Sequence, residues 1–248
     1  MKINIFTCLA QNSAPYANKL RDNMDNLESG NHDLRYYALC SSEDVDVIEP
    51  PNDWSIVPIR TDKIIPTSEL YANKPSVRHA KLLNSLTHHI EPDCDIVVIV
   101  DCDMYIFQWN WDQYIVNCLE KSDCVSTPKH DGSPRMFLMA FTYECYRKLN
   151  VDWMPGVGKY DSGWIMTGGV RLVSDTGWRL TKRINKTRTK CHMMRLKEDP
   201  KGAIRYMYSD MVSGHLLPIC AHMGASRKHE FDSPEVQNWY SACEMLIK

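Results

Sequence analysis

Ile96-Val97-Val98-Ile99-Val100-Asp101-Cys102-Asp103-Met104-Tyr105 decides how the rest of the chain is read. Five aliphatic residues follow one another without the alternation of a half-exposed strand. Such a run predicts a strand covered on both faces of a largely parallel sheet. It falls far short of the ~20 apolar residues needed to span a bilayer. Two carboxylates separated by one residue stand immediately after it. In open α/β sheets, ligands gather beyond the carboxyl ends of the strands. If the strand tip stays extended, positions i and i+2 point to the same side. Two hard oxygen donors converging there suit Mg2+ or Mn2+, ions that commonly bridge the oxygens of a diphosphate. The competing reading is a solvated strand end.

Working outward, the upstream half opens with a buried strand at Ile3 to Leu9, then a helix with Pro15 in its first turn running to about Leu27. A second strand is predicted at Leu34 to Leu39. Residues 41–68 carry four prolines and read as loop, with one short strand at Ser55 to Ile59. Pro75-Ser76 opens a helix through Ile90, with Val77, Ala80 and Leu83 at helical spacing. Downstream come a helix (Trp111 to Lys121), two strands (Cys124 to Thr127 and Met136 to Phe141), a helix (Tyr143 to Leu149) and, after a glycine-containing loop, a helix around Trp178 to Ile184. Strands alternating with helices of this length predict an α/β fold whose mainly parallel central sheet is flanked by helices. There is no internal repeat, and 1–248 reads as a single domain.

With 44% hydrophobic and 24% charged residues in 248, the chain has an ordinary globular profile, which excludes disordered, collagen-like and polytopic membrane classes. None of the ten cysteines forms a C-x-x-C pair, so a zinc ribbon or thioredoxin-like motif is not expected. Met1 to Thr7 reads as a first strand rather than a signal peptide, and a reducing, cytoplasmic setting is expected. The net charge of −2 hides an uneven distribution: residues 179–205 hold ten basic residues against two acidic ones, +8, leaving −10 for the remainder. That segment reads as a cover over a diphosphate, as a patch for an anionic partner, or as a solvated face. No phosphate-loop or nucleic-acid-binding signature is present, so no nucleic acid partner is expected.

The aliphatic strand followed by Asp101-Cys102-Asp103 resembles the D-x-D signature of GT-A-fold, nucleotide-sugar-dependent glycosyltransferases, as found in small enzymes of bacteria and large algal viruses. Pro75 to Asn84, with Arg78 and Lys81, resembles the basic helix that precedes the D-x-D strand in that family and faces the nucleotide. Ala221-His222-Met223-Gly224-Ala225-Ser226-Arg227 resembles the segment that supplies a third metal ligand. The resemblance spans about Lys2 to Arg227. It implies a GT-A-like, Rossmann-like fold with a nucleotide-sugar-binding half at about 1–105 and an acceptor-binding, catalytic half at about 106–248.

Carried over residue by residue, the resemblance makes Asp103 a direct metal ligand and Asp101 a ligand of the metal or of the ribose. Cys102 lies between them in the donor site. His222 becomes a metal-binding imidazole, set against the reading of a histidine satisfied near the core. Arg78 and Lys81, three residues apart on a helix, would contact the diphosphate or form a solvated basic face. Thr7 and the turn after it would hold the base through backbone groups. An inverting enzyme also needs a carboxylate to take the proton of the acceptor hydroxyl. Asp161 and Asp175 are the candidates, each in an Asp-x-Gly-Trp setting, and a helix N-cap is the competing role for Asp175. Trp164 and Trp178 stack on sugars or pack in the core. The function implied is Mn2+- or Mg2+-dependent transfer of a hexose, pentose or deoxyhexose from a UDP-linked donor to a glycan or glycoprotein hydroxyl, with inversion preferred. The rivals are a sugar nucleotidyltransferase and a non-catalytic binding module using the basic 179–205 surface.

Overall fold

The computed structural model describes residues 1–10, 12–46, 51–60, 75–128, 134–155, 157–158, 164–165, 171–172, 176–197, 204, 206–224 and 229–247. In chain order the elements are β1 (Lys2–Cys8), α1 (Ala14–Leu27), β2 (Asp33–Ser41), β3 (Ser55–Ile59), α2 (Pro75–Ser85), β4 (Ile96–Val100), β5 (Met104–Ile106), α3 (Trp111–Leu119), β6 (Cys124–Pro128), β7 (Pro134–Thr142) and α4 (Tyr143–Leu149). Three two-residue strands follow: β8 (Val157–Gly158), β9 (Trp164–Ile165) and β10 (Arg171–Leu172). The chain continues with α5 (Trp178–Thr187), β11 (Cys191–Met193), β12 (Arg195–Lys197), β13 (Tyr206–Val212), β14 (His215–His222) and α6 (Pro234–Glu244).

The aliphatic run is β4, and it lies at the middle of a seven-stranded sheet ordered β11-β6-β7-β4-β1-β2-β3. Four of the pairings are parallel, and only β7 runs against its two neighbours. The sheet is therefore mainly parallel, as expected, and it draws strands from both halves of the sequence. Every residue of β4 is buried, and its side chains divide between two cores. Ile96, Val98 and Val100 join one face with α1 and α3; Val97 and Ile99 join the other with α2, α4 and α5. Burying each such aliphatic side chain contributes roughly 1.5–3 kcal/mol, which is why this short run organises both layers.

A second, antiparallel sheet, β12-β13-β14-β5, brings Asp103 and His222 together. Its edge strand β5 follows Asp103 directly, and its outer edge is pinned to α1. The buried Asn23 side chain accepts from Ile106 N–H (2.7 Å) and donates to the Ile106 carbonyl (3.0 Å). An otherwise open edge is thereby satisfied. Two expectations need correcting. The helix from Pro75 ends at Ser85 rather than Ile90, giving way to a 3-10 turn over Leu86–His88. The Ser85 hydroxyl donates to the Leu82 carbonyl (2.6 Å) and competes for that acceptor at the last turn. The strand pair β13–β14 and helix α6 follow the last predicted helix, where none was assigned. All ten cysteines are free thiols. Among the described residues, no helix is long and apolar enough to cross a membrane.

Candidate metal centre

The two carboxylates converge, but not by staying extended. The Asp101 N–H still continues the β4–β7 ladder, donating to the Phe137 carbonyl (2.8 Å). The chain then turns, with Met104 N–H donating to the Asp101 carbonyl (3.1 Å), so Asp101 opens a tight turn and Asp103 sits within it. Beyond it β5 pairs antiparallel with the end of β14, in the register Met104 opposite His222. Met223 N–H donates to the Asp103 carbonyl (3.1 Å) and closes the join. A residue from the far end of the sequence is thus locked beside the acid pair by backbone hydrogen bonds.

His222 Nε2 lies 3.0 Å from Asp103 Oδ1 and 3.5 Å from Asp101 Oδ2. The potential ligand atoms of the three residues all fall within 4.8 Å of one another. Asp103 and His222 are buried, and Asp101 is the most open of the three at 18% side-chain exposure. Burial alone would lower the imidazole pKa, but the Asp103 and Asp101 carboxylates outweigh it and push His222 up to about 9. Without a metal, the cluster holds a proton between two carboxylates; a divalent cation would take that proton's place. Two hard carboxylates with one imidazole form a donor set that fits Mn2+ or Mg2+. The His222 ring is oriented by stacking rather than by a second hydrogen bond. Phe137 lies against it at 3.5 Å between centroids and 26° between planes, while Nδ1 is buried with no hydrogen-bond partner among the described residues. Tyr206 tilts against it at 6.1 Å.

Gly224 makes this packing possible. Its φ of +77° belongs to the left-handed region, and a Cβ there would stand 2.8 Å from Tyr206 Cε2 and 3.6 Å from His222 Nδ1. Tyr16, from α1, lies close enough to feel Asp103; burial first, then the charges of Asp103 and Cys102, push its phenol up to about 12. Burial likewise raises Tyr240 of α6, with Cys102 and Asp103 adding to the effect.

The remaining predicted residues fall as follows. Thr7 is wholly buried near the end of β1, one residue beyond the Phe6–Ile99 pair, and its Oγ1 has no hydrogen-bond partner among the described residues. Cys102 is buried in the turn between the two acids. On α2, His79 reaches the acid pair (Nε2 3.8 Å from Asp101 Oδ1), and the sequence reading did not select it. Arg78, one residue and about 100° around the helix, instead pairs with Asp44 at 2.8 Å. Lys81 is buried, 6% exposed, with no ion-pair partner among the described residues. Asp161 and Asp175 lie outside the described residues, as do Ala225 to Arg227. The side chains of Trp164 and Trp178 are not described.

The described part of the basic segment is a helix and two edge strands. Lys186 and Arg188 are exposed at the end of α5. Arg183 donates to the Leu149 (2.9 Å) and Asn150 carbonyls at the end of α4, and Arg179 pairs with Asp152 at 2.9 Å. Strands β11 and β12 each lie three strands from β4 or β5, about 14 Å at ordinary strand spacing. Arg195 and Lys197, the basic residues of these strands, are thus built into an edge strand of the small sheet, away from the acid pair.

No family model matches the chain, and no curated protein matches it by sequence. Its fold does match solved structures. An active-site mutant of LgtC superposes with a TM-score of 0.53 at 10% identity, covering 99% of this chain and 96% of that one. A second LgtC structure, a galactosyltransferase in complex with donor and acceptor sugar analogues, gives 0.45 at 11% identity over the same shares. A Drosophila β1,4-galactosyltransferase 7 mutant, in complex with manganese, UDP-Gal and xylobiose, gives 0.48 at 10% identity, covering 94% of this chain and 75% of that one. The likeness to LgtC over nearly both whole chains shows the fold: a GT-A-type, mainly parallel α/β sheet flanked by helices.

Proposed function

We propose that this protein is a metal-dependent glycosyltransferase that moves a sugar from a nucleotide diphosphate donor, UDP-linked, to a hydroxyl of a glycan or glycoprotein. The observation that carries the reading is the Asp101–Asp103–His222 cluster beyond the carboxyl end of β4. It occurs in a chain whose fold is similar to that of LgtC. Asp101, Asp103 and His222 would hold Mn2+ or Mg2+, which when bound supplies Lewis-acid stabilisation of the leaving diphosphate. Lys81, buried and with no ion-pair partner among the described residues, supplies a complementary charge for the phosphates. Thr7 and the turn after β1 contact the base, and Arg78 remains a candidate for the diphosphate once freed from Asp44. The proposal extends to an inverting course, with Asp175, or failing it Asp161, taking the acceptor proton.

The test is a screen of nucleotide sugars for hydrolysis with and without Mn2+, run beside Asp103→Asn. We expect Mn2+-dependent turnover of a UDP-sugar and at least a ~100-fold loss of Mn2+ affinity in the variant, because even groups that only orient metal ligands cost 10–100-fold when removed. Unchanged Mn2+ binding and turnover in Asp103→Asn would rule out the metal reading. Near-normal glycosyl transfer by Asp175→Ala would remove it as the base.

A further inference from the structure

A second group of potential ligands lies away from the acid pair, where α3 meets the seam between the two sheets. Cys118 of α3, His192 of β11 and Asp210 of β13 bring Sγ, an imidazole nitrogen and a carboxylate oxygen within 4.8 Å of one another. Asp210 is buried, and its carboxylate is hydrogen-bonded to the His192 ring through Nε2. The Tyr114 hydroxyl, one helical turn before Cys118, donates to the same Asp210 oxygen at 2.8 Å. Oδ1 accepts from Met211 N–H at 2.8 Å, which fixes the carboxylate. The site is positioned by the fold: β11 and β12 are joined by one residue, Met194, as the chain crosses from the large sheet to the small one.

We propose that Cys118, His192 and Asp210 form a structural zinc site, distinct from the Asp101–Asp103–His222 centre, that staples α3 to both sheets. The donor set separates the two sites chemically. A thiolate with an imidazole selects a borderline-soft ion such as Zn2+, whereas the acid pair prefers Mn2+ or Mg2+. Tetrahedral zinc at bond lengths of 2.0–2.3 Å sets its ligands about 3.5 Å apart, so the three atoms need close by only about 1 Å. Charge balances at this buried position: Zn2+ displaces the Cys118 S–H proton to solvent, and thiolate plus carboxylate neutralise the ion. His192, with 32% side-chain exposure, opens an entry route. Water or the Tyr114 hydroxyl fills the fourth position.

The experiment uses Co2+ as a probe on the reduced full chain, followed by displacement with Zn2+. Sulfur-to-cobalt charge transfer absorbs in the near ultraviolet, and an oxygen and nitrogen site does not produce it. We expect the band at one equivalent of Co2+ in the wild type and in Asp103→Asn, bleached by Zn2+ and absent in Cys118→Ser. His192→Ala, at a half-buried position that can be replaced if the cysteine variant fails to fold, should weaken Zn2+ binding by about 100-fold or more. A folded wild type without the band overturns the proposal. So does a band that survives Cys118→Ser, or full Zn2+ affinity in His192→Ala. None of these results bears on the Mn2+ reading, because Asp103→Asn reports on that site separately.

Discussion

Replacing Gly224 with alanine probes how the metal centre is packed. Alanine at φ +77° carries a left-handed backbone cost of about 1–2 kcal/mol. Its Cβ would also stand 2.8 and 3.1 Å from two Tyr206 ring carbons, closer than ordinary contact, so the ring must swing away. Crowding of that kind adds about 1–3 kcal/mol. Together the two effects lower stability by about 2–5 kcal/mol, or roughly 4–20 °C in Tm for a chain of this size. Gly30→Ala is the control: its φ is +70°, but nothing lies within 4 Å of the new Cβ, so only the backbone cost applies. Thermal melts in chelator isolate the folding effect. Electron paramagnetic resonance of free Mn2+ then measures the site, where displacement of the Tyr206 ring against His222 should weaken Mn2+ about 10-fold. If Gly224→Ala matched Gly30→Ala in both melting and Mn2+ affinity, the argument that Tyr206 and Phe137 hold the imidazole in place would be refuted.

Lys81→Met should keep the fold, because the apolar stem is retained, while UDP affinity in the presence of Mn2+ drops by about 10- to 100-fold, the value of a charge-assisted hydrogen bond. Calorimetric titration checks it, and unchanged UDP affinity would show that the buried ammonium does not face the phosphates. Acid stability should depend on Glu91, which the Tyr37 hydroxyl, and then Arg35 and Lys2, hold below the usual carboxylate pKa of 4.5. A depressed pKa contributes stability that is complete above pH 4.5 and is lost as the pH falls through the folded value. Urea midpoints on either side of pH 4.5 should therefore fall more steeply for the wild type than for Glu91→Gln, and parallel slopes would count against the assignment.

Much of the architecture was written locally. The Ile96–Val100 run, the spacing of Val77, Ala80 and Leu83, and Pro15 near the start of α1 each depend on a few neighbouring residues, and all appear where expected. The acid pair was also legible, although its geometry was not: the carboxylates meet across a turn, which alternation along a strand does not describe. The β13–β14 hairpin was hidden for a physical reason. Pro218 reads as a strand breaker, yet it sits beside a bulge where Ile219 is the extra residue opposite Tyr208 and Ser209. A signal was present at Ser213-Gly214, whose φ values of 51° and 83° match a tight hairpin turn. His79 escaped notice because choosing between neighbouring helix positions requires the helix rotation, which tertiary packing sets. The Cys118–His192–Asp210 group has no local spacing to read.

The pairing of β5 with β14 has a consequence for when the metal centre comes into being. Asp103 and His222 are separated by more than a hundred residues, and only the closing of that ladder brings them together. Contacts at such separation form late, after the loop-closure entropy has been overcome. A chain still being synthesised, with β1 to β5 already emerged, would carry the carboxylates but no complete ligand set. Cation loading is thus coupled to the last long-range step of folding. A bound ion should then act chiefly on the unfolding rate, holding shut the final strand pair to close.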